Sequence, residues 1–449
     1  MTAYPSSKAI IGAAASPLHV IIIGGGIGGL ALAQGLKKLG VSVAVYERDR
    51  TRTDRVQGYR VHINPAGSLA LHECLPPPLF EAFTRTCGKR SGGIRFLTEQ
   101  MKMLLSLDLA DAPDVLREEG IAQHRSVSRI TLRQVLLSGL DHVVQFGKTF
   151  THYQEGVSGR VIAHFDDGTT AEGDILVAAD GGGSRVRRQF LPGARRIDTG
   201  VVGIAGKVFL DDKTRPRLAP ELLQGLNLVS AKGGLALFVA LQELGSDMVG
   251  EIGGNDESAG SSAHFDNTKS YLMWAFGAQR TTLGVGGDVD ALDGASLRAI
   301  ALKAMAGWDE RLKSLVRLAH ADTINAIPIR SSVPVAPWPT RRITLLGDAI
   351  HSMTPYRGIG ANVALKDAGR LCRALTAANR GYRPVLHAIH GYEAEMLDYG
   401  FRAVRGSLRA MEQAIPNNGL RLFVSRTLFR IVDRVPLFKR WMFRGIGDE

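Results

Sequence analysis

Three cysteines in 449 residues, Cys74, Cys87 and Cys372, are too few and too scattered for a disulfide framework or a four-ligand zinc site. A reducing, cytoplasmic setting is the expectation. No apolar run is long enough to cross a bilayer, and the stretch Ile10 to Ala15 is short for a signal-peptide core, so neither a spanning helix nor export is expected. No Ser-His-Asp pattern, cysteine nucleophile, metal-ligand spacing, internal repeat or low-complexity tract is visible. With 45% hydrophobic and 22% charged residues, the composition excludes a disordered or collagen-like chain and leaves an ordinary globular protein of two to three domain-sized units.

Charge is unevenly placed. The formal net charge is +12, and half of it comes from the last 49 residues, where ten Lys/Arg face four acids. Aromatic residues are not interleaved with the basic ones as a nucleic-acid reader requires, so no nucleic acid is expected as a partner. Peripheral contact with an anionic membrane is the alternative to a merely solvated face. In Leu420 to Val432, Arg426 and Arg430 stand four apart on one side of an otherwise largely apolar helix. That segment either docks on the domain around the first strand or lies in a lipid interface.

After a small-residue leader (1–17), His19-Val-Ile-Ile-Ile23 reads as a buried parallel strand. It runs into Gly24-Gly-Gly26-Ile-Gly-Gly29 and then a helix with leucines at 32, 36 and 39, closed by Gly40. Val41 to Tyr46 is the next strand and Glu47 stands at its end. A lone glycine fingerprint is weak evidence. Here a strand precedes it, a helix follows it, and an acid stands about where a βαβ dinucleotide site needs one. Gly24, Gly26 and Gly29 then let the backbone approach a pyrophosphate at the helix N-terminus, and Glu47 accepts from ribose hydroxyls. Pro76-Pro-Pro78 breaks the chain, and the stretch to residue 125 carries little signal. Ser128 to Leu137 reads as a helix starting at Arg129, and Asp166-Asp-Gly168 as a hairpin turn. Alternating runs between 199 and 285 read as an antiparallel sheet. Arg341 to Leu346 is a further strand ending at Gly347-Asp348, followed by a helix from about Gly360 to Ala378.

Two more segments complete a pattern: Asp180-Gly-Gly-Gly-Ser-Arg-Val-Arg187, and Gly347-Asp-Ala-Ile-His-Ser-Met-Thr-Pro355 followed by Gly358-Ile-Gly-Ala-Asn362. Together with the glycine fingerprint, and over roughly residues 18 to 400, the chain resembles the single-component FAD-dependent monooxygenases of the aromatic hydroxylase type (class A). The resemblance implies an α/β fold. It would have a Rossmann-like FAD-binding domain (18–80, 105–198, 335–385), an inserted antiparallel substrate domain (81–104, 199–334) and a C-terminal helical region (386–449). It implies Glu47, with neighbouring Arg48, on the adenosine ribose, and Arg129 near the diphosphate or ribityl chain. Arg55 is a weaker match in a loop of variable length. Asp180 and Gly181 would lie between the cofactor and the nicotinamide donor. Asp348 would hold the ribityl or diphosphate region, with Pro355, Gly358 and Gly360 shaping the turn and Ala361 and Asn362 under the flavin.

The activity implied is oxygenation. NADPH or NADH reduces FAD, O2 adds to give a flavin C4a-hydroperoxide, and one oxygen hydroxylates or epoxidises a hydrophobic aromatic or polycyclic substrate. The flavin carries the chemistry, so no catalytic side chain is expected, and His351 reads as a packing or locally hydrogen-bonded residue. A reductase or dehydrogenase on the same fold is the alternative. His62, beside Tyr59 and Arg60, and Phe238 and Trp274 on strands, are pocket candidates; loop surface and core packing are their ordinary alternatives.

Overall fold

The computed structural model describes residues 17–52, 59–89, 92–107, 120–156, 159–244, 269–286, 289–416, 418–435 and 438–439. Arg55 and the leader before residue 17 lie outside them. The strand His19–Ile23 is β-branched throughout its buried part, as suits a strand covered on both faces. It occupies the centre of a five-stranded parallel sheet in the order Ile343–Leu345, Ile175–Ala178, His19–Ile23, Ser42–Tyr46 and Val144–Gln145. The register pairs Ile23 with Tyr46 and with Ala178, and Ala178 with Leu345. Gly24, Glu47, Asp180 and Asp348 therefore emerge along one carboxyl edge, where open α/β sheets bind ligands. The helix Ile27–Lys38 packs on this sheet beside Gly360–Asn379 and Arg129–Leu137.

A second sheet has seven strands in the order Asn325–Ser332, Arg196–Phe209, Tyr271–Gln279, Leu235–Gln242, Leu226–Ala231, Ile94–Leu97 and Met103–Leu107. It is not wholly antiparallel as expected, because Leu226–Ala231 and Ile94–Leu97 run parallel. The hairpin formed by 94–107 also brings residues 105–107 into this sheet, whereas the sequence reading assigned them to the cofactor-binding domain. Helices Gly294–Ala304 and Glu310–Leu318 cover its outer face with Leu297, Ala301, Leu312, Leu315 and Val316. Their start signals are visible in retrospect, since Asp293 and Asp309 each accept from a backbone N–H as N-caps.

No helix among the described residues is long and apolar enough to cross a membrane. The helix Gly419–Arg434 docks on the edge of the seven-stranded sheet rather than on the first strand's domain, one of the two placements expected for it. Phe429 meets Phe96 with ring centroids 4.6 Å apart, Arg426 pairs with Glu99, and the Asp433 carboxylate accepts from Ser106 N at 3.1 Å. An uncovered strand edge offers unpaired backbone groups, and this helix lies over the edge strand.

One buried carboxylate ties the cofactor edge to the long helix Val385–Ala414. Asp367 is fully buried. Its Oδ2 accepts from Gly347 N and lies 2.7 Å from His351 Nε2, and its Oδ1 accepts from Tyr399 OH at 2.6 Å. Burial opposes a charge on His351, but the Asp367 carboxylate outweighs it and holds the pKa above 6.5. The ion pair's share of stability is therefore complete below about pH 6.5 and fades as pH rises through the raised folded value. Asp367→Asn removes the charge that three donors share and should cost about 3 kcal/mol. Urea unfolding at pH 6 and pH 9 should show a smaller difference from wild type at the higher pH.

Candidate cofactor and substrate site

The glycines of the first turn do different work. Gly24 has φ +109° and an added Cβ would strike the Ala179 carbonyl; at Gly29 it would strike the Gly24 carbonyl. Both are demanded by close packing. Gly26 caps the helix Ile27–Lys38, and a Cβ there would meet nothing within 4 Å. Open space in front of free helix N–H groups is what a pyrophosphate needs.

Glu47 is buried, and its carboxylate accepts from Gly25 N at 2.6 Å and from Asp49 N at 3.0 Å. It locks the glycine turn to the end of the second strand. Arg48 beside it is exposed. Arg129 opens its helix with its backbone N–H on Tyr59 O at 3.1 Å and its side chain exposed. One turn further on, Arg133 was missed by the sequence reading. Its Nε donates to Gly25 O at 3.3 Å, its Nη1 to Arg52 O at 2.6 Å, and its Nη2 lies 3.6 Å from Asp49. The signal available was the i, i+4 spacing from Arg129.

Asp180 accepts from Arg185 N at 2.8 Å through Oδ2, while its Oδ1 is buried with no partner among the described residues. Burial raises its pKa. Gly181 has φ +74°, and a Cβ there would meet nothing. Arg187 donates to Ala349 O at 2.7 Å and to Gly182 O at 3.0 Å, so the second and third motifs are stitched directly together. Arg196, also missed, lies against Gly182. Burial lowers its pKa while the nearby Asp348 carboxylate opposes the shift. Asp348 itself is exposed at the start of a short helix whose His351 ring packs on Gly400.

After Pro355, Gly358 turns with φ +64° and Gly360 starts the long helix with Ala361 half-buried; a Cβ at Gly358 would meet nothing within 4 Å. Asn362 is buried. It donates to His62 O at 2.8 Å and accepts from Asn64 N at 2.9 Å, which fixes the helix start against the strand Arg60–Ile63. His62 Nε2 lies 3.0 Å from His124 Nδ1, and the two rings stack. Burial, then Arg60 and His124, lower its pKa to about 3, so it is neutral at pH 7.

Phe238 and Trp274 part company. Strand register sets Trp274 opposite Val239 and Phe238 opposite Ala275, so the two side chains point to opposite faces. Trp274 is 0% exposed, in the core between the sheet and the outer helices, and its position as a pocket residue is corrected accordingly. Phe238 shares the inner face with Tyr271, Met273 and Tyr59. Gly277 on that face abuts Tyr356 from the third motif.

The FAD binding domain profile matches residues 17–224 and 305–407, and the chain belongs to this FAD-binding family. It is 32% identical over 391 residues to a dual O-methyltransferase/FAD-dependent monooxygenase of Phaeosphaeria nodorum, which covers 81% of this chain and 41% of that protein. The FAD-dependent monooxygenase phnB of Penicillium herquei is 28% identical, over 87% of this chain and 89% of its own. Among solved structures, Klebsiella pneumoniae HpxO complexed with FAD and uric acid superposes with a TM-score of 0.75 at 24% identity, covering 96% of each chain. The chain spans less than half the length of the dual-function relatives it matches.

The residues present fit FAD: an open helix N-terminus at Gly26, a buried acid at the second strand's end, an unpartnered Asp180 oxygen and open glycines at the second helix start. Gly26→Ala should leave the apoprotein's thermal unfolding within about 1 kcal/mol of wild type while weakening FAD binding about tenfold or more, as read by flavin fluorescence titration. Gly29→Ala, whose Cβ meets immobile backbone, should lower stability by about 3 kcal/mol or yield insoluble protein.

Proposed function

We propose that this chain is a single-component FAD-dependent monooxygenase that uses NADPH or NADH and O2 to hydroxylate or epoxidise a hydrophobic aromatic or polycyclic small molecule. The observation that carries the reading is the junction of all three motifs at one sheet edge, facing an aromatic-lined sheet face across Asn362 and Tyr356. Relatives named as FAD-dependent monooxygenases support it.

Bound FAD would supply the redox chemistry, taking hydride equivalents from the nicotinamide and passing them to O2. The protein's own residues do the rest. Gly26 and the helix behind it receive the diphosphate, Glu47 the ribose, and Arg129 the phosphate charge. Asp348 and the turn Gly358 to Asn362 hold the ribityl and ring end. The helix N-terminus at Gly360 favours negative charge on the adjacent ring edge by about 0.3–1 kcal/mol. The inner sheet face positions substrate and excludes water from the reacting atoms. Asp180 and Gly181 would lie where the nicotinamide approaches.

Turnover under oxygen-18 gas with a panel of polycyclic phenols should place one labelled atom in the product and the other in water. Product carrying only solvent oxygen would end this reading.

A peripheral membrane role is supported by one specific feature. On the side of Gly419–Arg434 away from the sheet, Leu420, Phe423, Val424, Leu428 and Ile431 form a stripe 48–68% exposed, and Arg421, Arg430 and Arg434 are exposed around it. We propose that this stripe rests on an anionic bilayer. Wild type should co-sediment with phosphatidylserine vesicles, and the double variant Phe423→Ser, Leu428→Ser should lose most of that binding at low salt. Equal binding by both proteins removes the membrane contact.

A further inference from the structure

The inner face of the seven-stranded sheet carries polar groups that nothing in the fold accounts for. Lys207 is 3% exposed. Its Nζ sits 4.6 Å from the Tyr271 ring centroid and 5.6 Å from that of Tyr59, with no carboxylate paired to it among the described residues. Arg60 is half-buried, its Nε is buried with no partner among the described residues, and Tyr271 and His62 lie within electrostatic reach of it. The Tyr271 hydroxyl is buried with no partner among the described residues. So are both amide atoms of Gln242, which lies directly across the strand pair from Tyr271.

These four side chains come from four strands and meet at Tyr271. Two are cations, and no carboxylate among the described residues pairs with either. Burial accordingly lowers the pKa of Lys207 to about 8 and of Arg60 to about 10. A buried ammonium without a counter-ion is costly, and two tyrosine faces offset only part of that cost. Lys207, Tyr271 and Gln242 lie on the face opposite Trp274, the one that Tyr59 and Tyr356 bring against the cofactor edge. The single Tyr59 hydroxyl hydrogen is shared between Ala205 O at 3.0 Å and Thr323 O at 2.8 Å, so its ring is fixed in place beside Lys207.

We propose that the substrate of this site bears a negative charge, a carboxylate or an ionised phenol or enol oxygen, which binds Lys207 and Arg60 while its aromatic body lies across Phe238 and Met273. The Tyr271 hydroxyl and the Gln242 amide complete the hydrogen bonds to that oxygen. This rests on the reading of the inner face as the substrate side of a flavin site, and it narrows the substrate class from hydrophobic aromatic to anionic aromatic.

Matched probe pairs test it on the FAD-loaded enzyme by calorimetry and flavin difference spectra. Salicylate against salicylamide reports a carboxylate; pentafluorophenolate against pentafluoroanisole reports an ionised phenol. At least one anion should bind about tenfold or more tighter than its neutral partner, and whichever pair discriminates identifies the source of the charge. Lys207→Met should reduce that preference to within about twofold, and Lys207→Arg should retain most of it. Lys207→Met should also raise the melting temperature of the ligand-free holoenzyme, because it removes an unpaired buried charge.

Equal affinity within both pairs, or no binding of either anion up to about ten millimolar, overturns the proposal. So does a preference that survives Lys207→Met, or a lower melting temperature for that variant, which would mark Lys207 as structural. None of these readouts measures oxygen transfer, so the monooxygenase reading stands or falls separately on the oxygen-18 label.

Discussion

The cofactor edge depends on the Asp367 carboxylate. Gly347 must turn with φ +60° immediately after the strand Ile343–Leu345, and its N–H has no strand partner there. Asp367 takes that N–H, and the same carboxylate holds the His351 ring and the Tyr399 hydroxyl. Strand end, motif loop, ring-bearing helix and the long C-terminal helix are thereby fixed to one charge. An acid so deeply buried is tolerable only with its acceptor sites filled, and that demand makes the geometry specific. Asp348, which faces the open side, can be exposed because Asp367 does the anchoring behind it.

The seven-stranded sheet is two-sided in its chemistry. Its outer face is apolar, with Trp274, Phe276, Leu237 and Val239 packed under two helices. Its inner face mixes Phe238, Tyr271 and Met273 with Lys207 and Gln242, and the Tyr271 hydroxyl and Gln242 amide have no hydrogen-bond partner among the described residues. Strand alternation produces both from the same segments. Stability resides on one face, and the other is free to carry unpaired polar groups that a ligand can complete.

The C-terminal helix makes a similar division. Phe429, Arg426 and Val432 face the sheet edge, and Leu420, Val424, Leu428 and Ile431 face away. A helix that served only to cover an edge strand would carry polar residues on its outer side. The apolar stripe is therefore the part of the surface that the fold itself does not explain.

The cofactor half was legible in the sequence because its constraints are local. A glycine turn between a β-branched strand and a helix, an acid at the next strand's end, and a Gly-Asp after a further strand each follow from short-range backbone geometry. The parallel register then brings them to one edge. His351 also read correctly as a locally bonded residue, although its partner Asp367, sixteen positions on and inside a helix, gave no sign of its role. The substrate half was decided by tertiary structure. Whether Trp274 or Met273 faces the pocket depends on which side of the sheet the helices 294–318 cover, and alternation alone cannot choose. The parallel pairing of Ile94–Leu97 and the docking site of the last helix rest on contacts between segments more than a hundred residues apart. Lys207 and Arg60 look in sequence like ordinary surface charges. Only their convergence on Tyr271, with no carboxylate paired to either among the described residues, marks them as a candidate site.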